Sequence, residues 1–254
     1  MDNTAAIKTL ADSLKLPTFE SFREYIKPDM TIDQALVALM SQECARRHES
    51  LVKRRIRDAG LPNGKTIDTF KLVPTIPQLK KNHLDDLISC QFIKNNKNVC
   101  ALGGSGTGKS HLMAGVCREA IQQRYTVKFI RVSDMVTMLS EASMDRKLGA
   151  MMKSLLKVDL LALDELGYIT LTAKKAQLLF DVIAKRCEQG SSVFVTSNFE
   201  FSRWKDFIGD TVMTTALVGK LAGNAIILNM NGDDYRLASS KNNTKIGQER
   251  IEHE

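Results

Sequence analysis

The chain lacks any apolar run near the ~18 residues of a membrane-crossing helix, so no span is expected. Its opening residues include Asp2 and Lys8 and no long apolar stretch, so a secretory signal is not expected either. Five cysteines (Cys44, Cys90, Cys100, Cys117, Cys187) are scattered without one C-x-x-C pair. That argues against a zinc site or a disulfide framework, and for the reducing cytoplasm. Internal repeats are absent as well. What is present is ordinary for a globular protein: 254 residues, 43% hydrophobic and 26% charged, enough for one large domain and a small one. A net charge of +7 favours a polyanionic partner without selecting one.

The chemistry concentrates at Gly103-Gly104-Ser105-Gly106-Thr107-Gly108-Lys109-Ser110, which fits G-x-x-x-x-G-K-[ST]. Four glycines let backbone N–H groups close on phosphate oxygens. Lys109 supplies a point charge for the β- and γ-phosphates of ATP, and the Ser110 hydroxyl a ligand for Mg²⁺. The flanks suit the motif. Val99 to Leu102 is a short apolar run that reads as a buried strand. His111 to Gln123 carries Leu112, Val116, Ala120 and Ile121 at helical spacing, which aims a helix N-terminus at the anion and counts His111 with Gly103 to Ser110 as nucleotide-binding.

A second element is Val158 to Glu165, an apolar run ending in Asp164 and Glu165. A buried parallel strand would place both acids at the carboxyl edge of a sheet, where ligands bind. There Asp164 would hold Mg²⁺, and Glu165 would orient and deprotonate the attacking water. Further strands are expected at Thr126–Val132, Ser191–Thr196 and Ala225–Met230, and helices after a Ser133 cap and over Thr172–Gln189, Phe201–Phe207 and Thr211–Leu221. Glu141 to Gly149 reads as a loop or a second short helix. Asn198, beyond the Ser191–Thr196 strand, reads as a polar sensor of the γ-phosphate or as a turn residue. Trp204 reads as packing.

Residues 1–64 read as a separate helical region. Helices are expected over Ala5–Leu16 and Phe19–Ile26, and from a Thr31 cap onward. Over Gln42–Ala59, Ala45, Val52, Ile56 and Ala59 fall on one side, and Arg46, Arg47, Lys53, Arg54 and Arg57 gather on the other. Such a face suits the phosphates of double-stranded DNA, and equally a solvated surface. Neutralising about five phosphates implies a log–log salt slope near −4.5. No base-reading motif is visible, so backbone or shape recognition is expected. Gly60, Pro62 and Gly64 form a linker, and Ile76–Phe92 a helix. Between them Lys65, Thr66 and Phe70 are placed to line an adenine, although Phe70 fits a core equally well. From Ser239 the tail is polar.

The chain resembles the IstB-type ATPases, helpers of insertion-sequence transposition related to the DnaC helicase loaders and to the initiator branch of AAA+ ATPases. The residues that carry the likeness are 103–112, Leu163-Asp164-Glu165-Leu166-Gly167-Tyr168, Thr196-Ser197-Asn198, Trp204, Gly209-Asp210, Tyr235-Arg236 and the Leu14-Lys15-Leu16-Pro17 stretch. The likeness implies a three-layer α/β P-loop ATPase core of AAA+ type over residues 65–238, with a mainly parallel five-stranded sheet, preceded by the helical DNA-binding region and followed by the tail 239–254. It implies self-association into a multimer, duplex DNA and an IstA-type transposase as partners, and a bacterial protein associated with the nucleoid when bound to DNA. The runner-up is a helicase loader, which would prefer single strands. Where such proteins carry an Asp-Arg pair reaching a neighbour's nucleotide, this chain has Gly219-Lys220. Lys220 then implies a weaker finger and slow hydrolysis, since an ammonium lacks the guanidinium fork; a surface lysine is the other reading. On the finger reading, Lys220→Arg should raise the ATP turnover rate, and an unchanged rate would count against it. Arg236 matches a second family arginine that senses the γ-phosphate, or it pairs with Asp233 or Asp234.

Overall fold

A computed structural model of the chain describes residues 3–70 and 81–232. Two compact units emerge, Met1–Arg55 and Ile56–Glu254.

The first unit holds α1 (Asn3–Ser13), α2 (Pro17–Glu20), a 3-10 turn at Phe22–Glu24 and most of α3 (Ile32–Ala59). Pro17 opens α2 at a position where its missing N–H costs nothing. The helix expected over Phe19–Ile26 is interrupted at Ser21 (φ −100°, ψ 25°), where α2 gives way to the 3-10 turn. Thr31 caps α3 reciprocally: Gln34 N–H donates to Thr31 Oγ1 (3.3 Å), and Thr31 N–H donates to Gln34 Oε1 (2.9 Å). Val52 and Ala59 are buried, but Ala45, expected beside them, is exposed. The buried side chain in that turn belongs to Glu43.

Glu43 is a knot rather than a solvated acid. Its Oε2 accepts from Thr18 Oγ1 (2.7 Å) and Thr18 N–H (3.3 Å), and its Oε1 accepts from Arg46 and Arg47 (both 2.7 Å). The Arg46 guanidinium, followed by Thr18 and Arg47, holds its carboxyl down at about 2 against an ordinary 4.5. A depressed carboxylate stabilises the fold above its unfolded pKa and loses that contribution as pH falls through the folded value. Glu43→Gln should therefore be less stable than wild type at pH 7, with the gap closing between about 4.5 and about 2. Urea titrations across that range check this; a gap of constant size would refute it.

In the second unit come α4 (Lys81–Ile88), α5 (Gln91–Lys94), β1 (Asn98–Leu102), α6 (Lys109–Gln122), β2 (Val127–Arg131), α7 (Val132–Met144), α8 (Leu148–Leu156) and β3 (Leu160–Leu166). Then follow α9 (Ala173–Glu188), β4 (Ser192–Ser197), a 3-10 turn at Phe201–Arg203, α10 (Lys205–Ile208), α11 (Thr211–Ala222) and β5 (Ala225–Asn229). The helix expected over Ile76–Phe92 is broken where Cys90 turns left-handed (φ 54°), and residues 76–80 lie outside the described residues. Ser133 is not a cap. Extended Arg131 (φ −70°, ψ 143°) precedes the helix, and Ser133 sits inside its first turn. The stretch after Glu141 resolves into the end of α7 and a second short helix, α8.

The five strands are parallel throughout, in the order β2-β3-β4-β1-β5. Strand alternation feeds both faces: Cys100, Leu102, Leu161, Leu163, Val193 and Val195 join the core built by α7, α8, α9 and α11. Their neighbours Val99, Ala101, Leu160, Ala162 and Phe194 are equally buried, as a parallel sheet covered on both sides requires. Trp204 is fully buried, with Nε1–H donating to Phe199 O (3.1 Å). At the opposite end from the phosphate loop, Arg186 is fully buried and donates to four carbonyls, of Leu155 (2.8 Å), Val158 (3.0 Å), Asp159 (3.2 Å) and Ser192 (2.7 Å). Among the described residues no helix is long and apolar enough to cross a membrane.

Candidate nucleotide site

The site is built where β1, β3 and β4 end. After Leu102 the chain turns sharply at Gly103 (φ 148°), where an added Cβ would collide with the Met230 carbonyl at the end of β5. The loop then rises to Gly108 (φ 89°), the residue before α6. Lys109 is buried, and its Nζ donates to the carbonyls of Gly103 (2.7 Å) and Gly104 (2.5 Å). Those two bonds fix the ammonium at the loop's centre, where an anion bound to the backbone N–H groups would meet it.

Asp164 is buried and faces Ser110. Its Oδ1 accepts from Ser110 Oγ (2.8 Å) and from Thr196 Oγ1 (2.5 Å). Thr196 also accepts from Glu165 N–H (3.0 Å). The register of β3 against β4 shifts between Leu163 and Leu166, and Glu165 there takes a left-handed φ of 61°. This bulge turns Glu165 out of the sheet, with its side chain 40% exposed. Glu165 Oε2 lies 3.4 Å from Arg131 Nε at the tip of β2.

Lys109, Ser110, Arg131, Glu165 and Thr196 share one cavity of about 770 Å³, of a size that suits a nucleotide. Its lining comprises Ser105 to Ser110 of the loop, Glu165, Thr196 and Asn198 from the ends of β3 and β4, and Lys65, Thr69 and Phe70 from the segment before α4. His111 and Tyr168 line it too, Tyr168 being 74% exposed. Ser105 to Ser110, Glu165 and Asn198 are thus brought to one cavity, with Asp164 beneath them through Ser110 and Thr196; Gly103 and Gly104 do not line it. Thr196, although part of the Thr196-Ser197-Asn198 pattern, and Arg131 had no site role legible in the sequence, because both reach the acids only through strand neighbours.

Ser110 and Asp164 offer an oxygen-only pair, the donor type a hard divalent cation takes. Among the described residues no cluster of three or more His, Cys, Asp or Glu side chains is arranged around a metal. The pair therefore fits Mg²⁺ carried in with phosphate oxygens rather than an all-protein cage.

The remaining candidates lie elsewhere. Lys220 pairs with Glu188 (3.0 Å), and its carbonyl accepts from Asn98 Nδ2 (3.4 Å) at the amino end of β1, away from its own phosphate loop. Arg236 lies outside the described residues. On α3, Arg46 and Arg47 pair with Glu43, Lys53 with Glu49 (2.6 Å) and Arg57 with Asp58 (3.6 Å); Arg54 is exposed without an ion pair among the described residues.

The contact between Arg131 and Glu165 holds the carboxylate that would take a proton from water. Partly exposed pairs of this kind contribute ~0.2–1 kcal/mol, so with Glu165 as the base Arg131→Gln should raise ATP turnover by about 1.4–5-fold. A steady-state phosphate-release assay checks this, and a fall in rate would show that Arg131 assists Glu165 instead.

A parallel sheet in this order, a phosphate loop at its switch point and an Asp-Glu pair on the next strand but one define an ATP-binding P-loop protein of AAA+ type. Residues 11–243 match the family described as IstB-like ATP binding protein, and the chain belongs to it. It is 32% identical over 213 residues to the ATP-binding protein of insertion sequence IS5376 from Geobacillus stearothermophilus, covering 84% of each chain. With that of IS21 from Pseudomonas aeruginosa it shares 28% over 232 residues, covering 89% of this chain and 87% of the relative. Among solved structures it is similar to AMPPCP-bound DnaA from Aquifex aeolicus (TM-score 0.57, 16% identity, 67% of this chain) and spans 51% of that chain. It also resembles the DnaC helicase loader (TM-score 0.55, 19% identity, 66% of this chain and 97% of that one).

Proposed function

We propose that this protein is an ATP-hydrolysing helper of insertion-sequence transposition that self-associates on duplex DNA and recruits or regulates a transposase. The observation that carries the reading is the convergence of Lys109, Ser110, Glu165 and Asn198 on one nucleotide-sized cavity, with Asp164 held beneath it by Ser110. Lys109 and the loop N–H groups bind the triphosphate. Ser110 and Asp164 would hold Mg²⁺, which supplies charge neutralisation at the phosphates when bound. Glu165 accepts a proton from the attacking water, Asn198 orients that water, and Thr196 fixes both acids. Lys220, remote from its own loop, serves a neighbouring subunit's nucleotide; Arg236 is assigned to the γ-phosphate of its own.

The DNA surface is the basic face of α3 with Arg46, Arg47, Lys53, Arg54 and Arg57. Three carboxylates (Glu43, Glu49, Asp58) already lie against those cations, so phosphates must compete for them. The salt slope should accordingly be shallower than the −4.5 of about five unencumbered contacts. The insertion-sequence relatives favour a transposase as the protein partner.

The test is equilibrium binding to duplex and to single-stranded DNA of equal length, with and without ATP and Mg²⁺, for wild type and Lys109→Ala. Duplex binding that ATP strengthens and Lys109→Ala abolishes is expected. Preference for single strands would transfer the protein to helicase loading, and indifference to ATP would overturn the reading.

A further inference from the structure

We propose that His111 is the positioning residue for the nucleoside end of the site: it fastens the strap formed by residues 62–70 to α6, and so sets the affinity for the base rather than for the phosphates. The inference rests on the ATP-binding reading and extends it to a role in the half of the ligand that the phosphate loop does not touch.

The strap runs antiparallel along one face of α6, at the spacing of successive helical turns. At the far end Arg118 donates from Nη2 to Pro62 O (2.7 Å) and from Nε to Lys65 O (2.9 Å). One turn back, Gly115 leaves room for Ile67: a Cβ there would lie 2.8 Å from Ile67 Cδ1 and 3.0 Å from the Ile67 backbone nitrogen. One turn further, His111 Nε2 lies 2.9 Å from Thr66 O and 3.1 Å from Thr69 Oγ1. At the helix start a Cβ on Gly108 would come within 3.0 Å of Phe70 Cε2. Positions 108, 111, 115 and 118 therefore form one stripe that receives the strap and delivers Thr69 and Phe70 to the cavity.

Thr66 O can only accept, so His111 Nε2 carries the proton and donates to it. The strap is also closed on itself. Thr66 N–H donates to Thr69 Oγ1 (3.1 Å), Thr69 N–H to Thr66 Oγ1 (3.2 Å) and Phe70 N–H to Ile67 O (3.0 Å). A segment so closed moves as a piece, and His111 is its fastener nearest the cavity. The His111 ring meets Phe70 edge-on, with centroids 5.6 Å apart and planes at 68°. Losing the imidazole removes the hydrogen bond to the strap and the ring that seats Phe70, while Lys109 and the loop carbonyls keep their own bonds.

The test separates base from phosphate. Calorimetry with Mg²⁺ measures binding of ATP and of inorganic tripolyphosphate to wild type, His111→Leu and His111→Gln; glutamine presents an N–H at the reach of Nε2. His111→Leu should weaken ATP about tenfold and leave tripolyphosphate within about twofold. His111→Gln should recover most of the loss. In turnover assays KM for ATP should rise with kcat within about twofold. Equal weakening for ATP and tripolyphosphate would overturn the proposal, because His111 would then act on the phosphate loop. No weakening in His111→Leu would overturn it too. A wild type that binds neither ligand would instead remove the ATP-binding reading beneath it.

Discussion

Glu165→Gln is expected to lower ATP hydrolysis by ~10²–10⁴-fold, the usual contribution of a positioned general base, while ATP still binds. Glutamine keeps the length and polarity of the side chain but cannot take the proton. The backbone bulge that presents residue 165 depends on Glu165 N–H donating to Thr196, and the substitution leaves that bond intact. Arg131 loses an ionic partner, and at 60% side-chain exposure it can be solvated instead. The loss should therefore fall on kcat, with ATP affinity unchanged or tighter. If ATP and not its hydrolysis drives assembly, this variant should hold duplex DNA at least as long as wild type. Single-turnover phosphate release, nucleotide binding and DNA dissociation rates measured together decide it. Hydrolysis within tenfold of wild type would remove Glu165 from the chemistry.

The largest stability effect is expected at Arg186. Its guanidinium bridges the end of α8, the start of β3 and the start of β4 through four carbonyl acceptors, with no carboxylate paired to it among the described residues. Burial pulls its pKa down to about 10, which still leaves it protonated at neutral pH. Its Nε is buried without a partner among the described residues, so the bonds of the fork ends must offset that cost as well. Arg186→Met keeps the stem packed and strips all four carbonyls of their donor. Leaving such groups unsatisfied should cost ~3–5 kcal/mol, which lowers Tm by roughly 6–20 °C in a chain of this size. Arg186→Lys should recover little, since one ammonium cannot span acceptors arranged for a planar fork. Thermal unfolding followed by circular dichroism measures both; a shift below 2 °C for Arg186→Met would show the clamp to be dispensable.

How much of this was legible in the residues follows from how far each feature reaches along the chain. The phosphate loop was plain because its parts are consecutive: β1, Gly103 to Ser110 and α6 occupy one unbroken stretch, and their geometry is local backbone geometry. Asp164 and Glu165 were equally plain, since an apolar run that stops in two acids marks the edge of a buried strand. The capping of α3 by Thr31 and the burial of Trp204 also came through, both being matters of short-range bonding or of size and hydrophobicity. Periodicity misjudged Ala45 because it ranks residues by apolarity, and here a carboxylate, Glu43, fills the buried turn through bonds to Thr18, Arg46 and Arg47. Arg186 reads in sequence as one more cation at the end of α9, beside Lys185.

Strand order is what the residues alone leave open. Thr196 reaches Asp164 because β4 lies beside β3, and Arg131 reaches Glu165 because β2 lies on the other side; the register brings Arg131 opposite Asp164. None of those neighbours is local in the chain, and equally apolar strands would pair in another order with the same periodicity. The order β2-β3-β4-β1-β5, and no local pattern, sets the partners of the two acids. The phosphate-binding loop is thus written in adjacent residues, whereas the groups that hold and restrain its acids are assigned by which strands the folded sheet sets side by side.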